Sequence, residues 1–65
     1  MIIVDLIKEL MDQQNKSVED MVILTKLTYR EIYNIVAYDV IPNPENAKII
    51  LGVLGVNLED VLTLY

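Results

Sequence analysis

The chain has 65 residues, of which 54% are hydrophobic, and its ten acidic and five basic side chains give a net charge of −5. A chain this short lies near the lower size limit for independent folding, so residues 1–65 are expected to form a single domain. It has no Cys and no His, which excludes disulfides and the common zinc sites. Since it also lacks a glycine-rich phosphate loop, we expect neither an enzyme nor a bound cofactor or metal.

The apolar composition predicts an interaction surface. The mean hydropathy is +0.40, and a domain this small cannot bury all of its apolar side chains. Contiguous exposed apolar area usually marks an interface, so we expect a homodimer or a protein partner. The apolar stretches at Met1–Val4 and Ala47–Val56 are too short to cross a bilayer, which predicts a soluble, cytoplasmic protein without a membrane contact. No small-molecule substrate is evident.

The first predicted helix comes from apolar residues at three- and four-residue spacing, and it runs to about Gln13. Gln14, Asn15 and Lys16 then interrupt the pattern. The residues expected to face the core are Ile3, Leu6, Ile7 and Leu10.

Two short capped helices follow. Ser17 with Asp20 resembles a capping box and starts helix two, and Thr28 with Glu31 is a full capping box that starts helix three. Only a tight turn around Lys26 separates them, so residues 17–36 are predicted to form a helix-turn-helix unit. The inward residues are expected to be Val18, Met21, Leu24 and Thr25 in helix two and Ile32, Ile35 and Val36 in helix three.

The rest of the chain predicts two more helices. After a loop over 39–43, Asn43 caps helix four and Pro44 takes its first position, where the missing N–H costs nothing. The inward stripe is expected to be Ala47, Ile50, Leu51 and Leu54, ending at Gly55, and Asn57 with Asp60 starts a short last helix carrying Leu58, Val61 and Leu62. The fold class is therefore all-α, with five helices.

These residues carry a resemblance to a known family. The pattern comprises Ile7-Lys-Glu-Leu10, Ser17, Glu19, Met21, Leu27-Thr28, Ile32, Ile35, Pro42, Ile50 and Leu54-Gly-Val-Asn-Leu-Glu-Asp60-Val-Leu62. In this spacing the chain resembles the phage-repressor (Cro-like, Xre-type) helix-turn-helix family, without a gap from Ile7 to Leu62. The resemblance implies a compact five-helix lambda-repressor-like DNA-binding domain.

The resemblance also implies a set of DNA-contacting residues, because the second helix of the unit lies in the major groove in this family. Arg30 can pair with a guanine edge and Asn34 with adenine, while Lys16 and Lys26 can reach phosphates. Helical spacing independently places residues 29, 30, 33 and 34 on one face. The groove-facing residues implied are Thr28, Tyr29, Arg30, Tyr33 and Asn34.

Several positions depart from the family pattern. Val18 stands where a polar residue usually contacts phosphate, Val22 where Ala is usual, and Lys26 where Gly favours a left-handed backbone at a cost of about 1 kcal/mol for other residues. Asp39 lies in a loop that usually carries basic residues or Gly. Val18 and Asp39 weaken the expected contact with phosphate, whereas Val22 and Lys26 affect the close approach of the two helices and the turn between them.

One departure involves two positions together. The family often pairs a buried Arg in helix one with a Glu in helix three, and these positions are Met11 and Val36 here. Losing one partner would strand a charge, whereas replacing both with apolar groups is often neutral. The joint replacement predicts that Met11 and Val36 touch.

Two functions are consistent with this pattern. The leading one is a DNA-binding transcriptional regulator, acting as a homodimer on a two-fold symmetric operator. The alternative is an interaction module, such as an antirepressor or modulator that binds another regulator, which the net charge and outward apolar residues favour. Under it Tyr29 and Tyr33 belong to a protein interface, where Tyr is enriched. Five apolar residues are expected at the surface, either without a role there or as the dimer or partner face. They are Ile23, Val40, Ile41, Ile49 and Val53.

Overall fold

The structure, a computed structural model, describes residues 2–60, except for the side chain of Ile2. Its helices are α1 (Ile2–Gln13), α2 (Val18–Thr25), α3 (Tyr29–Tyr38) and α4 (Pro44–Val53), and helical backbone of a fifth segment begins at Leu58. No strand occurs in this part of the chain, so the predicted all-α, five-helix organisation is confirmed. The predicted inward residues Val61 and Leu62 lie outside the described residues.

The two predicted capping boxes are both present. The Ser17 hydroxyl accepts a hydrogen bond from the Asp20 amide at 3.1 Å, and the Asp20 carboxylate accepts one from the Ser17 amide at 3.0 Å. Thr28 and Glu31 repeat this reciprocal pair at 3.2 and 3.3 Å. Because each box satisfies backbone donors that a helix start leaves without partners, α2 and α3 begin where the sequence indicates. Helix α3 then continues two residues beyond the predicted end of the unit, to Tyr38.

Helix α4 also begins and ends as predicted. The Asn43 side chain accepts a hydrogen bond from the Asn46 amide at 2.8 Å, and Pro44 is the first helical residue. At the other end Gly55 has a φ of +85°, and the Val56 amide donates to the Leu51 carbonyl at 2.8 Å. This left-handed glycine closure ends the helix and turns the chain toward the fifth segment.

The core confirms the predicted inward face of α4 and corrects that of α1. In α1 the fully buried residues are Val4, Ile7 and Met11, while Ile3, Leu6 and Leu10 are half-buried at its edge. The apolar pattern of α1 is broad enough to allow either rotation, and packing against α3 selects this one. The buried apolar residues are Val4, Ile7, Met11, Met21, Ile32, Ile35, Ala47, Ile50, Leu51 and Leu54.

In α2 the prediction that Leu24 faces inward is wrong, since its side chain is 49% exposed. Met21 and Thr25 form the buried face, and Leu24 lies about 60° around the helix from Met21 and about 100° from Thr25, at the edge that the packing leaves open to solvent. The buried Thr25 hydroxyl donates to the Met21 carbonyl at 2.6 Å and accepts from the Leu27 amide at 3.2 Å. Thr25 therefore fills an inward position with its polar group satisfied.

Packing of the other helices presents α3 at the surface. Helix α2 packs against α3 and α4, and α1 packs against α3. Met11 of α1 and Val36 of α3 line the same surface depression, and Val36 packs against the core that contains Met11; direct contact between these two side chains stays a prediction. At the end of α1, the Gln14 side-chain amide donates to the Leu54 carbonyl at 2.8 Å, which links α1 to the end of α4.

Candidate nucleic-acid interface

The candidate interface is the outer face of α3. Ile32 and Ile35 point into the core, while Tyr29, Arg30 and Tyr33 are exposed. Thr28 lies at the start of the helix, with its hydroxyl engaged by the Glu31 amide. The residues at 29, 30 and 33 therefore share one accessible face, with the free backbone donors of the helix N-terminus at one end.

Three tyrosines, hereafter the tyrosine row, line this face. The rings of Tyr29 and Tyr33 are stacked, with centroids 5.8 Å apart and planes 16° apart, and Tyr38 meets Tyr33 edge-on with centroids 5.9 Å apart. Tyr38 is 69% exposed and was not among the predicted site residues. The four-residue spacing of the first pair signals their contact, whereas the five-residue spacing to Tyr38 gives no such signal.

Asn34, the predicted adenine reader, lies at the edge of that open face, one helical turn from Arg30. It is half-buried and lines an open groove of about 240 Å³ between α3, the loop 39–43 and the start of α4. Val40 and Ile41 are among the apolar residues of the groove wall, with Glu31 and Asn43 among its polar residues. The groove is smaller than the roughly 300–1,000 Å³ usual for small-molecule sites.

The basic residues predicted to touch DNA lie in an electrically balanced segment. Residues 16–34 contain three basic side chains, Lys16, Lys26 and Arg30, and three acidic ones, Glu19, Asp20 and Glu31. The carboxylates of Asp20 and Glu31 are engaged in the capping boxes. The net charge of −5 therefore belongs entirely to the rest of the chain.

The cations differ in their surroundings. Arg30 and Lys26 are exposed, and their side chains form no ion pair or hydrogen bond with any described residue. Lys16 is half-buried. Hydrogen bonds from Ser17, with a smaller contribution from the Lys16 charge, hold the pKa of Asp20 below its usual value. Arg30 and Lys26 are therefore the cations most available to an anionic ligand.

The acidic loop residue Asp39 has a partner that the sequence does not indicate. Its carboxylate lies 2.7 Å from the Lys8 ammonium of α1. This hydrogen bond lowers the pKa of Asp39 and raises that of Lys8. The Asp39 charge is thus matched locally, so this loop is less repulsive toward phosphate than its sequence implies.

The predicted dimer or partner residues do not all behave alike. Ile23 is 74% exposed, and Val40, Ile41 and Ile49 are exposed as well. Val53 is instead half-buried and packs against the core, so its placement at solvent is wrong. It is the last residue of α4 and lies beside the buried Leu54, where the chain turns back over the core.

Among residues 2–60 the structure holds no group of three potential metal ligands, and no helix there is long and apolar enough to cross a bilayer. Comparisons of the chain with protein-family models, curated proteins and solved structures return no match. The phage-repressor pattern is accordingly a resemblance carried by the residues themselves, on an all-helical scaffold that contains the two capped helices.

Proposed function

We propose that this protein is a small DNA-binding transcriptional regulator with a lambda-repressor-like fold, which inserts α3 into the major groove of an operator. The observation that carries the proposal is the orientation of α3. Its capped N-terminus and its Tyr29–Arg30–Tyr33 face are accessible, while Ile32 and Ile35 anchor the opposite side. A recognition helix needs this arrangement, because the rigid scaffold must position side chains at base edges.

The dimensions and chemistry of α3 suit this role. Ten helical residues span about 15 Å, and the major groove is about 12 Å wide. Arg30 has no partner among the described residues, so its guanidinium can pair with the two acceptors of a guanine without first breaking an ion pair. Lys16 and Lys26 flank the unit as candidate phosphate contacts.

The charge distribution supports binding by this face. Residues 16–34, which include Lys16 and most of the helix-turn-helix unit, are neutral, and the acidic excess of the chain lies outside them. With α3 in the groove, the neutral segment meets the duplex first. Few phosphate contacts are available to each copy, so a homodimer on a two-fold symmetric site would supply the affinity that one copy lacks.

The test is selection from a random duplex library at about 50 mM salt, where electrostatic contacts are strongest. For the recovered duplex, Arg30→Ala is expected to cost about 1–3 kcal/mol of binding free energy and to relax preference at one base position. Lys48→Ala is the matched control, because it removes one positive charge from an exposed position on α4. Failure to retard any duplex at this salt concentration would refute the proposal.

A second function, an interaction module that binds another regulator or its own copy, is favoured by one specific observation. Ile23, Val40 and Ile41 are exposed on a domain of only 65 residues, and apolar side chains in such positions favour association. This function predicts a complex that persists at high salt and is disrupted by Ile41→Asp or Ile23→Asp. The interaction function is contradicted if light scattering shows a monomer and no protein partner is bound in the absence of DNA.

A further inference from the structure

The tyrosine row is an ordered aromatic surface on the proposed recognition helix. Tyr29 and Tyr33 stack at 5.8 Å, and Tyr38 closes the row edge-on against Tyr33. All three rings remain exposed, and their hydroxyls make no hydrogen bond with any described residue. The row therefore presents both apolar ring area and free polar tips.

Contact between the rings restricts the side chains before any ligand arrives. Aromatic pairs in these geometries stabilise each other, and a side chain that is already held loses less rotamer freedom on binding. This matters here because residues 16–34 carry no net positive charge. A reader with few phosphate contacts depends more on contacts to the bases.

Among the bases, thymine offers the apolar group that such rings can cover. Its C5-methyl is the apolar feature of the major-groove edge, and apolar side chains recognise it by contact. Tyr29 and Tyr33 are four residues apart, which is about 6 Å along a helix, close to two base-pair steps of about 3.4 Å each. Arg30 lies between them in the sequence, next to Tyr29.

We infer that Tyr29 and Tyr33 select thymine, each ring covering a thymine methyl group, at positions about two base pairs apart that flank the pair contacted by Arg30. This inference rests on the proposed function and specifies the ligand of the same face. In this inference the aromatic rings select the base, and the tyrosine hydroxyls are not needed for the selection.

The test replaces thymidine with deoxyuridine, which removes only the methyl group, in the duplex recovered by selection. All thymines are replaced first, and then single positions. Each contacted methyl is expected to contribute about four-fold to affinity, the ratio that corresponds to burying one methylene-sized group. Binding is measured by anisotropy with the full chain and both duplexes at the same salt concentration.

Variants then connect the methyl groups to the rings. In Tyr33→Ala the discrimination between thymidine and deoxyuridine is expected to disappear at one position, and in Tyr29→Ala at the other, as a double-mutant cycle between protein and base. Tyr33→Phe keeps the ring and loses the hydroxyl, so it is expected to retain the discrimination. Circular dichroism and thermal unfolding of each variant show that the fold is intact.

The outcomes separate the two proposals. If no duplex is bound, the proposed function fails and this inference fails with it. If a duplex is bound but its deoxyuridine form binds equally well, only the inference is overturned. The same holds if discrimination remains unchanged in both alanine variants or is lost in Tyr33→Phe.

Discussion

At the scale of single residues, three non-glycine residues with left-handed backbone set where the described chain turns. Asn15, Lys26 and Asp39 have φ values of 56°, 62° and 55°, and each directly follows or closes a helix. Asn and Asp tolerate this conformation through local hydrogen bonding, and Asp39 also pairs with Lys8. Lys26 has neither form of compensation, so the turn of the helix-turn-helix unit keeps the strain.

Replacing Lys26 with glycine is expected to stabilise the protein. Lys26→Gly should raise the free energy of unfolding by about 0.5–1 kcal/mol, because the relief of left-handed strain exceeds the entropy that glycine adds to the unfolded chain. Lys26→Ala is the matched control, since it removes the same charge and keeps the strain. Urea denaturation measures both variants, and equal stability of the two would contradict this account of the turn.

Paired charges at the surface predict the pH range of maximal stability. The pKa values of Asp20 and Asp39 are lowered in the folded protein, so their contribution is present above about pH 4 and is lost as the pH falls through the folded values. The pKa of Lys8 is raised, so its contribution is present below about pH 10.5 and is lost as the pH rises through the folded value.

Thermal unfolding across this pH range is the measurement. Asp39→Asn should reduce the losses at both the acidic and the alkaline ends, because it removes one lowered pKa and the partner that raises the pKa of Lys8. Asp12→Asn removes the same charge from an exposed side chain without an ion pair among the described residues, and is the control. Identical pH profiles for the two variants would show that the Lys8–Asp39 pair contributes nothing.

At the scale of elements, packing of α1 against α3 orients the proposed recognition helix. Met11 is 6% exposed, and Val36 is half-buried beside the same depression. An apolar contact here avoids the desolvation that a buried ion pair requires. Apolar side chains therefore stand at the two positions where the family that the chain resembles often has a charged pair.

Restoring the charged pair tests this contact. Met11→Arg alone should destabilise the protein by about 3–5 kcal/mol, because it places an unpaired charge at a buried position. Adding Val36→Glu should recover about 1–3 kcal/mol of that loss through direct coupling of the two side chains. Urea denaturation of the unmodified protein, both single variants and the double variant measures this coupling. Met11→Leu, which conserves volume, is the control, and strict additivity of the two charged substitutions would rule out the contact.

At the scale of the whole molecule, acidic charge is segregated from the proposed DNA-binding unit. Residues 16–34 are balanced, and the net charge of −5 arises outside them. A duplex bound to α3 thus meets a neutral unit in front of an acidic body. Long-range attraction is small in such a protein, so selectivity must come from close contacts.

This segregation predicts an unusually shallow salt dependence. With Lys16 and Lys26 as the phosphate contacts of each copy, a dimer releases about four counterions, and the slope of log affinity against log salt is about −3 to −4. Lys26→Ala should make the slope less steep by about two, one contact for each copy, whereas Lys48→Ala should leave it unchanged. A slope steeper than about −7 would require phosphate contacts elsewhere on the molecule.

The sequence by itself determined the capped helix starts, the closure of α4 and the existence of the two-helix unit. Capping pairs such as Ser17–Asp20 and Thr28–Glu31 act over three residues, and the left-handed closure at Gly55 is equally local. Interactions of this range depend on residue type and spacing alone. For that reason the predicted caps, the turn and the inward stripe of α4 agree with the structure.

Only the tertiary structure decided the rotation of each helix and the surroundings of the candidate site. The pairing of Lys8 with Asp39 and of Gln14 with the Leu54 carbonyl joins residues 31 and 40 positions apart, and no local pattern encodes such contacts. Leu24 turns outward because α4 and α3 together select the buried face of α2. Tyr38 joins the tyrosine row because its ring meets Tyr33 at the end of α3, a position that helical periodicity alone does not assign to that face.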